Sequence, residues 1–368
     1  MRPVFQFIVF IFLLGLASCS ETPAIEHTDH PVGLKRLTYS DPVRKSWSGE
    51  QARPLNTYIW YPASNNAIMT KVGIPPERPV FTGGAVARNA EFAADDSKYP
   101  LVIMSHGTGG SAMQMMWLGR ELAAQGYIAV AVDHHGNTAA EDHFDARGFR
   151  LPWERALDIS AVLDQLLVDP QFATKIDRQR ISAIGFSLGG YTVTALAGGI
   201  FDFELFNKFC SGAMRDASCD DQSEYPEASA EFEKLRKTDP RIDASLARSG
   251  ASFKDTRIRS VITLAPAPVQ AFTRESLEDI DIPFLVFVGS ADKVAPATTN
   301  AMRLAKLVPN VQIQIIKDAG HYVFLSLCNK RGRKYVPVCR DPKGVRRDIT
   351  HSEVIKKTLE FLNRQPGE

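Results

Sequence analysis

The run Arg180-Ile181-Ser182-Ala183-Ile184 leads into Gly185-Phe186-Ser187-Leu188-Gly189-Gly190, and no other stretch constrains this chain as much. An apolar, β-prone segment enters a Gly-x-Ser-x-Gly, and small, helix-compatible residues from Tyr191 to Ala197 follow. A serine at the tip of so sharp a strand-to-helix turn occupies a crowded backbone conformation, so the residues two before and two after it must lack bulk. Gly185 and Gly189 meet that demand, and Ser187 becomes the candidate nucleophile. Gly and Ser are also common turn residues, so an ordinary strand–helix corner would look similar. The partners of Ser187 elsewhere in the chain decide between the two.

Around this corner, strand-like and helix-like segments alternate. Leu34–Tyr39 and Leu55–Tyr61 read as strands, and residues 64–98, rich in Pro, Gly, Ala and Asn, read as a long loop. Pro100–Ser105 is continuously apolar, as a central parallel strand should be. Ser111–Gln125 reads as a helix carrying Met113, Met115, Met116, Trp117 and Leu118, residues that suit a core or, beside the preceding glycine loop, an acyl pocket. Tyr127–Val132 is a strand and Pro152–Val168 a helix with one apolar face. Ile258–Leu264 and Pro283–Val288 follow as strands, and the alternation of Val311, Ile313 and Ile315 with Gln312 and Gln314 places a further strand near a sheet edge. Thr350-x-x-Glu353 reads as a capping box opening the last helix. Such alternation predicts one large α/β domain over residues 33–365 with a mostly parallel sheet flanked by helices. Residues 201–257 form an insertion, a lid or a plain surface excursion; the cluster Phe201, Phe203, Leu205, Phe206 and Phe209 favours a lid.

Two further residues complete a catalytic set. Asp292, in Gly289-Ser290-Ala291-Asp292, and His321, in Ala319-Gly320-His321, each follow a predicted strand, where the carboxyl ends of parallel strands converge on one crevice. Ser187, Asp292 and His321 stand in the chain order serine, acid, histidine. A serine hydroxyl is a weak nucleophile at neutral pH, so His321 would take its proton, while Asp292 would fix the imidazole tautomer. Asp133 and Asp318 are competing acids. The loop His106-Gly107-Thr108-Gly109-Gly110 can bring a backbone N–H to a substrate carbonyl, so the amides of Thr108 and Leu188 are the expected oxyanion donors. His106 is expected to hold this loop. His134, His135 and His143 invite a metal reading, but adjacent residues on an extended segment point apart; neither metal nor organic cofactor is expected.

Ile59-Trp60-Tyr61-Pro62, Tyr99 to Gly107, and Gly185 to Gly190 resemble the platelet-activating-factor acetylhydrolase and bacterial "predicted dienelactone hydrolase" group of α/β-hydrolases, over most of residues 33–365. The resemblance implies an α/β-hydrolase fold and a serine esterase or lipase-like activity on a small-molecule or lipid ester. The eukaryotic acetylhydrolases carry their acid after the strand that follows the elbow helix, where this chain reads Thr263-Leu264-Ala265-Pro266. The acid therefore falls one strand later, at Asp292, as in the bacterial members. Dienelactone hydrolases proper use a cysteine, and here Ser187 stands in its place. Phospholipase A or acetylhydrolase action on lipid esters, amide hydrolysis, and a non-catalytic lipid- or partner-binding role are the alternatives.

Residues 1–18 combine Arg2 with the apolar Ile8–Leu14, a signal peptide too short to span a bilayer comfortably. Leu16-Ala17-Ser18-Cys19 resembles the bacterial lipobox, which implies lipidation at Cys19, a polar tether over 19–32 and, with Ser20 following, sorting to the outer membrane. Four cysteines remain, Cys210, Cys219, Cys328 and Cys339, an even number that suits two disulfides in an exported chain. Three pairings are possible, and the local pairs 210–219 and 328–339 are preferred because each closes one loop. The basic run Lys330, Arg331, Arg333, Lys334, Arg340, Lys343, Arg346 and Arg347 reads as a solvated face or a contact with anionic headgroups. A formal net charge of +1 over 368 residues gives no reason to expect a nucleic-acid partner.

Overall fold

The computed structural model describes residues 30–94 and 97–364. The expected signal peptide, the expected lipidation site Cys19 and most of the expected tether lie outside the described residues. An eleven-stranded sheet carries the molecule. Its first four strands are β1 (Val32–Lys45), β2 (Ala52–Pro62), β3 (Thr70–Ile74) and β4 (Phe81–Arg88), followed by the central β5 (Tyr99–Ser105) and β6 (Ile128–Val132). After these come β7 (Ile176–Phe186), β8 (Ser260–Leu264), β9 (Phe284–Gly289), β10 (Val311–Ile316) and the short β11 (Leu327–Cys328). The spatial order is β10-β9-β8-β7-β5-β6-β2-β1-β4-β11, with β3 paired to β4. From β10 to β6 every pairing is parallel, while β2 runs antiparallel to β6 and β1 to β2. The chain leaves β5 for β6 on one side and returns to β7 on the other, so the order reverses beside β5. Ligands of open parallel sheets bind at such a reversal, beyond the carboxyl ends of the strands.

Side chains alternate across the central strands and feed two separate cores. Leu101, Ile103, Val130, Ala183 and Val286 enter one, and Val102, Met104, Ala131, Ile184 and Phe287 the other. The first face is covered by α3 (Glu154–Leu166), α4 (Leu188–Ala197) and α9 (Ala301–Leu307), the second by α1 (Met116–Ala124) and α11 (Arg347–Leu362). Each fully buried Leu, Ile or Phe contributes about 1.5–3 kcal/mol relative to exposure. The helices between are α2 (Ala146–Arg150), α5 (Phe203–Ser211), α6 (Ala228–Arg236), α7 (Pro240–Leu246), α8 (Arg274–Glu278) and α10 (Lys330–Tyr335).

Four local expectations are corrected. Residues 64–98 are no long loop, because they contain β3 and β4 as an antiparallel pair. Gly83 and Gly84 hid β4; a Cβ on Gly83 would lie 2.4 Å from Met116 Sδ, so the glycines let α1 approach the strand at the cost of its β signature. The last helix starts at Arg347 rather than after a Thr350 cap, and Thr350 is buried in its first turn. Arg347 is itself no solvated charge: it is buried, bonds Asp341 through two nitrogens and donates to the carbonyls of Ser326 and Val338. The predicted helix from Ser111 begins as a 3₁₀ turn, Ala112–Met115, before α1.

Candidate active site

Ser187 stands between β7 and α4 with φ +53° and ψ −118°. A non-glycine residue held there stores about 1–3 kcal/mol of strain. The crowding predicted around it is real, since a Cβ on Gly185 would fall 1.9 Å from the Gly189 carbonyl oxygen and one on Gly189 2.0 Å from that of Ser105. The Ser187 N–H donates to Leu264 O at 2.9 Å, which ties the turn to β8.

The three residues proposed from chain order meet. His321 Nε2 lies 2.9 Å from Ser187 Oγ, and His321 Nδ1 lies 2.7 Å from Asp292 Oδ2. An ionised carboxylate only accepts, so Nδ1 carries the proton and Nε2 faces the serine as an acceptor. The amides of Val294 and Ala295 donate to Asp292 Oδ1 at 2.9 and 2.7 Å, which fixes the carboxylate. Asp292 and His321 are buried, while Ser187 is half-buried and opens on a cleft. The competing acids lie elsewhere. Asp318 is exposed, and Asp133 Oδ1 accepts from Ala112 N–H and Thr138 Oγ1, its carboxyl pushed up to about 6 by burial.

Thr108 and Leu188 line the cleft beside Ser187. Among the described residues, neither backbone N–H donates to a protein acceptor. Leu188 is the first residue of α4, where amides point out of the helix without intrahelical partners. The Thr108 loop is held from behind: His106 Nδ1 donates to Gly107 O at 2.7 Å, His106 Nε2 accepts from the His134 N–H at 3.2 Å, and Gly109 N–H donates to Asn137 Oδ1 at 2.7 Å. Burial, reinforced by Arg155, holds the His106 imidazole well below its usual range, so it stays neutral as this bonding requires.

The cleft encloses about 240 Å³, and much of its wall comes from residues between Phe201 and Ala228. Met113, Met115, Met116, Trp117 and Leu118 are buried in the second core, and none of them lines it. The local cysteine pairs are the ones formed, Cys210–Cys219 and Cys328–Cys339, with Cα separations of 5.5 and 5.8 Å.

Sequence reasoning missed a second serine–histidine–aspartate chain directly behind the loop. Ser105 Oγ lies 2.9 Å from His134 Nε2, and His134 Nδ1 lies 3.0 Å from Asp158 Oδ2. Asp158 also receives Arg53 Nε and Arg44 Nη2, both at 2.7 Å. Arg155 crosses the same region, donating to His106 O, to Ser105 Oγ at 3.3 Å and to Thr192 Oγ1 of α4 at 3.2 Å. His135 turns the other way: its Nδ1 bonds Glu141 at 2.7 Å, and its Nε2 accepts from the Trp47 N–H at 3.0 Å. Only the histidine pair hinted at any of this, and no periodicity connects Arg53, Arg155 and Asp158 with Ser105.

Among known proteins, "Cutinase est2" of Thermobifida alba is 29% identical over 119 residues, 32% of this chain and 35% of that protein. The platelet-activating factor acetylhydrolase of Cavia porcellus is 30% identical over a stretch covering 26% of this chain and 31% of its own length. The chain thus spans about a third of the length of the curated relatives it matches. A solved ferulic acid esterase from Streptomyces cinnamoneus superposes with a TM-score of 0.60 over 91% of this chain and 90% of that one, at 20% identity, a likeness of fold. The model of the alpha/beta hydrolase family matches residues 102–328, which hold the glycine loop, the serine elbow, Asp292 and His321, and the chain belongs to that family.

Proposed function

We propose that the protein hydrolyses carboxylic esters through an acyl-enzyme on Ser187. The observation that carries this reading is His321, bonded at once to Asp292 and to a strained serine that opens on a cleft. Ser187 Oγ attacks the ester carbonyl carbon while His321 Nε2 takes its proton. The oxyanion is received by the amides of Thr108 and Leu188, and Asp292 stabilises the imidazolium. His321 then protonates the leaving alcohol oxygen as the carbonyl–oxygen bond breaks. A water, deprotonated by the same nitrogen, attacks the acyl group, and the acid leaves with Ser187 restored. The ester-hydrolase names of the cutinases and of the ferulic acid esterase support the reaction class.

The test is turnover of p-nitrophenyl esters by the mature domain beside Ser187→Ala, where kcat is expected to fall about 10⁴-fold or more. Equal turnover by the two proteins, with no labelling of the wild type by a fluorophosphonate, would end the reading.

The N-terminal pattern and the two disulfides support an exported protein held to a membrane by acyl chains on Cys19. Mass spectrometry of the mature N-terminus checks this, and an unmodified Cys19 or cleavage at another position would refute it.

A further inference from the structure

The helix α5 is amphipathic, yet none of its residues is fully buried. Its Phe203, Phe206, Asn207 and Cys210 fall at i, i+3, i+4 and i+7, a single face, and all four line the cleft that contains Ser187. An apolar helical face at a surface needs an occupant, and here the occupant's space is continuous with the candidate nucleophile. Phe201 and Trp153 back this wall, with ring centroids 4.7 Å from Phe201 to Phe203 and 5.5 Å from Trp153 to Phe203.

The wall is fastened at both ends. At its start Asp202 caps the helix and its N–H donates to Ala271 O at 2.8 Å. At its far end Cys210 is bonded to Cys219. The turn that carries Cys219 is itself pinned to the body, because Asp216 Oδ2 accepts from Gln270 Nε2 at 3.0 Å and from the Thr299 hydroxyl. The disulfide therefore ties the far end of the helix to the body, while Phe203 and Phe206 pack its near end against the first core. Beyond it the cleft turns polar, with Asp220, Asp221 and Gln222 on its rim.

We propose that the α5 face is the specificity wall for one compact apolar arm of the ester, an aryl or short alkyl group, and that the Cys210–Cys219 bond sets the depth available to it. The proposal rests on the ester-hydrolase reading. The cleft's 240 Å³ lies below the ~300–1,000 Å³ of sites for drug-sized ligands. A cleft of that size suits one short arm better than a long acyl chain. Phe206 lines the cleft from the helix side, and a change of one methylene in an apolar pocket alters discrimination about 10-fold or more.

The experiment compares kcat/KM across p-nitrophenyl esters of two to sixteen carbons, and across aryl and alkyl acetates so that either arm of the ester is sampled. It is run on the wild type, on Phe206→Ala, on Phe206→Trp and on the double variant Cys210→Ser, Cys219→Ser. The wild-type optimum is expected among the short chains of the series rather than the long ones. Phe206→Ala should move it at least two carbons longer and Phe206→Trp at least two shorter. Without the disulfide the profile should flatten, the ratio of the longest ester to the optimum rising about 10-fold. One profile shared by all four proteins in both ester series would overturn the wall. A wild type that turns over no ester and escapes fluorophosphonate labelling at Ser187 would instead overturn the hydrolase reading beneath it.

Discussion

Ser187–His321–Asp292 and Ser105–His134–Asp158 have the same connectivity and similar distances, 2.9 and 2.7 Å in one and 2.9 and 3.0 Å in the other. Their surroundings differ in every respect that chemistry needs. Ser187 opens on a cleft with two amides beside it, whereas Ser105 is buried and its oxygen also accepts from Arg155. Asp292 is held by backbone amides, which leaves its charge to an imidazolium; Asp158 is engaged by two arginines. Burial alone would raise the Asp158 carboxyl, but Arg53 and Arg44 hold it well below the usual carboxylate range. His134 is lowered to about 3 by burial and by Arg155, so it cannot take a proton near neutrality. Hydrogen-bond order alone does not make a catalytic triad: the serine needs an open face and its histidine needs a charge that the site can carry.

The comparison breaks most sharply at the two aspartates. Asp292→Asn should lower kcat about 10⁴-fold with little change in the denaturation midpoint. Asp158→Asn should do the reverse, costing about 3–5 kcal/mol because Arg53 is left buried without its carboxylate. Parallel ester assays and urea titrations read both, and similar losses of activity would show that the chains are not functionally distinct. Arg155→Met comes next. Arg155 ties the glycine loop to α4, and a displacement of about 1 Å can cost ~10²-fold in rate. The loss is expected in kcat rather than KM, with partial recovery in Arg155→Lys; a KM effect alone would place Arg155 outside the positioning of the loop.

His134 predicts a pH effect on stability. Its folded value of about 3 lies below the ordinary 6.5, so the unfolded chain binds the proton more readily. The stability that depends on neutral His134 is complete above about 6.5 and is lost as pH falls from there toward 3. His106 and His351 act in the same direction, and Asp133, raised to about 6, opposes them. His134→Gln should therefore make acid destabilisation shallower, by up to about 1.4 kcal/mol per pH unit between roughly pH 6 and 4. An unchanged slope in denaturation midpoints measured across that range would contradict the burial of a neutral His134. The smallest stability effect is at the elbow: Ser187→Gly should remove activity yet stabilise the fold by about 1 kcal/mol, strain released less the entropy a glycine loses. A destabilised glycine variant would show that the +53° conformation carries no net strain.

Legibility followed how local each signal was. β5, β6 and β9 were readable because buried parallel strands are continuous apolar runs, and β10 because an edge strand alternates. Strand β4 was not, since close approach to α1 selected Gly83 and Gly84 there and erased the pattern. The start of α11 was misplaced because the helix begins at Arg347, a buried cation held by Asp341 and Val338, before the Thr350 cap signal.

Local signals in the chain carried the elbow and the order of Ser187, Asp292 and His321, because steric demands on glycine and the ends of buried strands leave local traces; they favoured the local cysteine pairs without deciding them. Tertiary structure decided which carboxylate meets His321, which serine faces a cleft, how α5 lies against that cleft, and that Arg53, Arg155 and Asp158 converge behind the glycine loop. Those outcomes depend on distances between groups up to 134 residues apart, and on the loss of water around them, neither of which a residue's neighbours in sequence record.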